Sequence, residues 1–213
     1  YVERDIRSIR NIDNILSFKK FMQLCALRVG TTINFTDLAT NCGISLSTAK
    51  SWLGLLETSF ILFQLPSYHD NLGKRVTKSP KLYFYDVGLA VTLMNVDKKV
   101  ITTKRDIYGA LFENMIIVDL IKNFHANGSR PTLTFFRDTN KNEIDLIIEI
   151  AGKVIPVEIK ASQTMDSKFF DTIKWFQEQT NNDQMPIVIY GGAQRQARSF
   201  GKVIPWTDMA NII

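Results

Sequence analysis

The sequence predicts a mixed α/β chain (α+β overall) in two units: a winged helix-turn-helix over residues 1–85 and an α/β domain over residues 86–213. Three observations predict it. Apolar residues recur at helical spacing from Phe18 to Val29 and again from Asp106 to Phe124. Gly43 separates two segments that each begin at a residue able to cap a helix. Two apolar runs of strand length, Ile144 to Ile150 and Val154 to Lys160, flank Ala151-Gly152-Lys153, which reads as a tight hairpin.

In chain order, the first helix places Phe18, Phe21, Met22, Leu24, Cys25 and Leu27 at helical intervals. Thr36 or Asn34 can cap a short second helix that ends at Gly43. Ser45 can cap a third, running to about Ser59, with Ala49, Trp52, Leu53, Leu55 and Leu56 free to pack. Two helices joined by a short Gly-containing turn make a helix-turn-helix. Phe60 to Leu65 and Lys81 to Tyr85 read as strands around a polar loop, the wing, which carries Lys74, Arg75 and Lys78. The second unit starts near Asp86. A long helix over Asp106–Phe124 carries Glu113, and strands follow at Leu133–Arg137, Ile144–Ile150 and Val154–Lys160. A helix over Ser167–Gln179 then leads to strands at Ile187–Tyr190 and Lys202–Trp206. Helix, three strands, helix, strand is an α/β order whose early strands form a meander.

Composition bounds the function. A 45% hydrophobic content over 213 residues fits a folded globular chain and excludes a disordered one. No run of eighteen apolar residues occurs, so no membrane partner is expected. Tyr1 stands where a start methionine would, and the chain reads as an excised piece of a longer protein. Cys25 and Cys42 form no Cys-x-x-Cys pair, and the two histidines, His69 and His125, read as surface residues. That pattern argues against zinc and against a disulfide framework, and fits a reducing, cytoplasmic setting. Residues 71–105 hold eight Lys/Arg against Asp86 and Asp97, a net of +6, while the rest of the chain sums to −1. Such a stretch can attract phosphate backbones or be a solvated basic loop.

DNA contact is expected mainly through the wing. The third helix offers a single basic residue, Lys50, so Ser47, Thr48 and Lys50 can touch phosphates but discriminate bases weakly. No Gly-x-x-x-x-Gly-Lys-Ser/Thr occurs, so no ATP site lies on this chain.

The chemistry concentrates at Asp145 and Glu158-Ile159-Lys160. A carboxylate inside an apolar strand is costly to bury unless a partner or a metal holds it. Residues two apart on a strand share a face, so Glu158 and Lys160 point the same way. Asp/Glu-x-Lys occurs three times here, but Asp97-Lys98-Lys99 and Asp166-Ser167-Lys168 fall in polar stretches. Only the third copy lies on an apolar strand, one hairpin after a second acid. Asp145 and Glu158 are candidate oxygen ligands for Mg²⁺ or Mn²⁺, with Glu113 bound directly or through water. Such a metal acidifies a nearby water and offsets charge on a scissile phosphate, with Lys160 positioning the water or stabilising developing charge. Arg137 is a candidate phosphate clamp, and Gln163 could orient the water. The bland alternatives are an Asp145–Lys160 salt bridge that closes the sheet, an exposed strand-end arginine and a solvated loop glutamine.

With these residues named, the second unit resembles the PD-(D/E)XK nuclease superfamily, with Ile144-Asp145 standing for Pro-Asp and Glu158-Ile159-Lys160 as the closing motif. The whole chain resembles the C-terminal region of prokaryotic AAA-type ATPases that carry a domain of unknown function (type 4143). The matching stretches are Tyr1 to Asp5, Pro80 to Tyr83 with Asp86 to Leu89, Gly109 to Asn114, Arg137, Glu143 to Asp145 and Pro156 to Lys160. The resemblance implies a restriction-endonuclease-like three-layer α/β domain after the winged helix. It also implies an ATPase domain of the same parent as a partner. Two readings follow: a metal-dependent nuclease acting on DNA, or a catalytically inactive module for binding DNA or a protein partner.

Overall fold

A computed structural model describes residues 14–69, 79–209 and 212. Three helices come first: α1 (Ile15–Ala26), α2 (Phe35–Cys42) and α3 (Leu46–Thr58). Asn34, not Thr36, caps α2 by accepting the Asp37 N–H at 3.0 Å, and Gly43 ends that helix in the left-handed region at φ 66°. Ser45 caps α3 through the Thr48 N–H at 3.0 Å. The strands β1 (Leu62–Leu65) and β2 (Lys81–Phe84) pair antiparallel. The loop expected to carry Lys74, Arg75 and Lys78 lies outside the described residues, as does the Tyr1–Asp5 stretch.

Residues after Asp86 depart from the expected basic loop. They form two short helices, α4 (Val87–Met94) and α5 (Lys98–Thr103), capped by Asp86 and Asp97. The long helix α6 (Arg105–Ala126) follows, then β3 (Thr132–Arg137), β4 (Glu143–Ile150) and β5 (Lys153–Lys160). The β4–β5 turn takes positive φ at both Ala151 and Gly152, the geometry a two-residue hairpin requires. The helix expected over 167–179 is a 3₁₀ turn, Ser167–Phe170, running into α7 (Asp171–Thr180). Then come β6 (Ile187–Tyr190), the two-residue β7 (Gln196–Ala197) and β8 (Lys202–Pro205), after which Trp206 opens a second 3₁₀ turn and leaves the strand.

The main sheet has the order β3-β4-β5-β6-β8-β7, antiparallel among β3, β4 and β5, parallel from β5 to β6 to β8, and antiparallel at β7. Ile173 and Phe176 of α7 pack with Ile144, Ile147, Val188, Tyr190 and Val203 in one cluster. A larger cluster joins α6 to Leu146, Ile148, Val157 and Ile159, and continues through β2 into α1 and α3, so one core runs across residue 85. Asn114 locks that junction. Its buried side chain accepts the Phe84 N–H at 2.8 Å and donates to the Phe84 carbonyl at 2.7 Å. Asn114→Ala leaves both backbone groups without their side-chain partner and is expected to cost about 2 kcal/mol, readable by urea denaturation. A loss below about 0.5 kcal/mol would mean that water takes over both bonds.

Candidate active site

A bulge in β4 aims Asp145. Thr134 pairs with Ile147 and Phe136 with Ile144, so Asp145 and Leu146 together oppose Phe135. Strict alternation would put Ile144 and Leu146 on one side. Instead Ile144 packs in the α7 cluster while Leu146 packs in the α6 cluster. The extra residue carries Asp145 toward α6, where it lines the same cleft as Glu113. The β4–β5 ladder ends at Leu146–Val157, and past it Asp145 Oδ2 accepts the Ile159 N–H at 2.8 Å. A side-chain oxygen thus stands in for a strand carbonyl and fixes the acid against β5.

Glu158 and Lys160 pair with Val188 and Tyr190 of β6 and share one face of β5, as their spacing predicts. Lys160 Nζ lies 2.5 Å from Glu158 Oε1 and 3.5 Å from Asp145 Oδ2. The second carboxylate oxygen, Glu158 Oε2, is buried with no hydrogen-bond partner among the described residues. Glu113 comes from α6 and is held from β2. Lys81 Nζ reaches its Oε1 at 3.0 Å, and the Tyr83 hydroxyl donates to the same oxygen in a very short bond. Lys81, only 1% exposed, also bonds Glu143 Oε1 at 2.6 Å and stands 5.4 Å from the centre of the Phe135 ring.

The electrostatics follow from crowding. Burial, and then the Asp145 charge, pushes the Glu113 carboxyl up to about 7 against the pull of Lys81 and Tyr83. Burial and Asp145 push Glu158 up to about 8 against the pull of Lys160. Burial lowers both lysines, but the surrounding carboxylates outweigh it, and each ammonium holds its proton beyond the ordinary lysine range. Glu113 and Asp145 open on a cleft of about 660 Å³ that Arg105, Tyr108, Lys160 and Ser162 also line, while Glu158 is buried and reaches it through its bond to Lys160. Among the described residues, no three His, Cys, Asp or Glu side chains already stand as a metal-ligand set. The donor chemistry nonetheless suits a hard divalent cation: oxygens only, mutually repelling, one of them orphaned.

Glu113, Asp145, Glu158 and Lys160 therefore gather as expected, and the other expected site residues do not join them. Arg137, at the end of β3, pairs with Glu143 at 3.5 Å and lines a separate shallow pocket with Ser67 and Asp138. Lys50 is exposed on α3, 5.8 Å from the centre of the Phe35 ring. Gln163 lines a neighbouring pocket. Lys81 and Tyr83 are the residues that sequence reasoning missed. A signal was present: a lysine opening the apolar run Lys81-Leu82-Tyr83-Phe84 is as costly to bury as Asp145 in its strand. Counting Lys81 with the solvated basic stretch concealed it.

Residues 108–209 match the model of a domain of unknown function (DUF4143), and residues 1–100 match that of another domain of unknown function (DUF8612). Among curated proteins, the uncharacterized protein Rv2008c of Mycobacterium tuberculosis (strain ATCC 25618 / H37Rv) is 26% identical over 164 residues. The match covers 77% of this chain and 36% of that protein. The uncharacterized protein Mb2031c of Mycobacterium bovis (strain ATCC BAA-935 / AF2122/97) matches with the same identity and coverage. The chain thus spans about a third of the length of the curated relatives it matches. No solved structure matches it. Among the described residues, no helix is long and apolar enough to cross a membrane.

Proposed function

We propose that the second unit is a metal-dependent nuclease-like domain of PD-(D/E)XK type acting on DNA, and that the first is a winged helix-turn-helix that contacts the backbone. On this reading the chain is the C-terminal region of a cytoplasmic AAA-type ATPase whose nucleotide site lies elsewhere in the parent. The supporting observation is that Glu113 from a helix and Asp145 from a strand line one cleft with Lys160, whose ammonium also bonds the buried Glu158.

Asp145 and Glu158 would hold Mg²⁺ or Mn²⁺, with Glu113 bound directly or through water. Bound there, the cation would supply charge that offsets a scissile phosphate and acidifies an adjacent water. Lys160 keeps its ammonium at neutral pH and can stabilise negative charge developing on the phosphate oxygens. The bulge at Asp145 and the Ile159 N–H hold one acid still, so little reorganisation is needed there.

One observation favours the inactive alternative, a nuclease-fold scaffold that binds DNA or a protein. Lys81 and Lys160 already supply cations to every acid of the cluster. Calorimetric titration of Mn²⁺ into the chain, beside Asp145→Ala, separates the two. Binding by the wild type that disappears in the variant is the expected result. No binding at millimolar metal, with and without DNA, would leave the inactive scaffold as the correct reading.

A further inference from the structure

We propose that the pocket beside the acidic cleft is a nucleobase-stacking subsite, which makes unpaired nucleic acid the substrate class of the site; this rests on the nuclease-like reading above. The pocket has a volume of about 380 Å³. Tyr108, from the first turn of α6, and Trp206, from the turn after β8, present their rings there and are 45% and 39% exposed. Past residue 86, Tyr108, Met185 and Trp206 are the large apolar side chains exposed among the described residues, and two of the three line this one pocket. Exposed apolar groups gathered in one concave site mark a binding surface more often than scattered ones do.

The pocket and the cleft adjoin, since Tyr108 and Ala161 line both. A strand whose phosphate sits by Lys160 therefore meets aromatic faces next. Its wall is largely apolar, with Val87, Leu111, Phe112 and Met115, and the backbone closes it at Gly191, where a Cβ would come 2.6 Å from the Ala161 carbonyl oxygen. Gln163 supplies an amide that can both donate to and accept from a base edge. The rim is basic. Ile101 of α5 enters the pocket while Lys98, Lys99, Lys104 and Arg105 around it are exposed, against Asp97 and Asp106. Asp97 is partly engaged as the α5 cap, through the Lys99 N–H at 2.7 Å. Aromatic faces beside a cationic track suit a single strand, whose bases can splay onto them; in a duplex those faces are already stacked.

The test is fluorescence anisotropy of the full chain in EDTA, with a labelled oligothymidine, an abasic oligomer of equal length and a duplex. Wild type should prefer oligothymidine, and Tyr108→Ala or Trp206→Ala should each weaken it about tenfold. The abasic strand should bind weakly and ignore both substitutions, and Trp206→Phe should restore most of the loss. Circular dichroism checks that each variant is folded. Equal affinity for thymidine and abasic strands, or variants that bind as wild type does, would overturn the proposal. So would absence of all nucleic-acid binding, which would make the pocket a docking face for another domain. Base-dependent binding without metal-dependent cleavage would sink the catalytic reading alone and leave the subsite standing.

Discussion

Lys81→Met is expected to destabilise the chain by about 2–3 kcal/mol near pH 9, because it strips the cation from Glu113 and from the partly exposed Glu143. Lys81 is 1% exposed and bonds Glu113 and Glu143 at 3.0 and 2.6 Å. Glu143 retains Arg137 and is partly exposed, so most of the cost falls on Glu113. The loss should therefore depend on pH. Glu113 is pushed up to about 7 with Lys81 present and rises further without it, so the variant takes up a proton there instead of keeping an unpaired charge, and the cost should shrink as pH falls toward 5. Removing the acid as well should recover most of the stability, and Lys81→Met with Glu113→Leu completes the double-mutant cycle. Urea denaturation at pH 5 and pH 9 reads both effects. A cost that is small at pH 9, or equal at the two pH values, would mean that Glu113 does not depend on Lys81.

The second large effect is on the wild type. Glu113 and Glu158 rise from an ordinary 4.5 to about 7 and about 8 in the folded chain, through burial first and the Asp145 charge second. Between those limits the folded state binds protons that the unfolded state has released. The stability they contribute is complete below pH 4.5 and is lost as pH rises through 7 and 8. One unit is worth about 1.4 kcal/mol, and the two carboxyls share Asp145 as a neighbour, so a loss on the order of 3 kcal/mol is expected from pH 5 to pH 9. Thermal melts across that range should fall by roughly 10 °C. Glu158→Gln should flatten the upper part of the curve and Glu113→Gln the lower. A melting temperature that stays level or rises over this range would show that neither carboxyl is held above its ordinary value.

Where one signal decided an element, the sequence was enough. Helical spacing placed α1 and α6, side-chain caps on either side of Gly43 placed α2 and α3, and continuous apolar runs around a tight turn placed β4 and β5. The helices α4 and α5 escaped because eight and six residues are too short to show a period. Val100, Ile101, Thr102 and Thr103 also favour strand, although the caps at Asp86 and Asp97 were legible. The Asp145, Glu158 and Lys160 part of the site was readable for a related reason. Charges in apolar strands are expensive, and expense points to use or to pairing.

By itself, the sequence determined the order of the principal elements, the shared face of Glu158 and Lys160, and the presence of acids that had to be matched by cations. Each of these depends on residues close together in the chain. Only the tertiary structure decided which cations match which acids. Lys81 meets Glu113 across 32 positions and Tyr83 meets it across 30, a pairing that local periodicity does not encode. The structure also decided the aim of Asp145. The β4 bulge is set by its pairing with β3, and one extra residue there turns a carboxylate from the face that alternation assigns to the one where Glu113 waits.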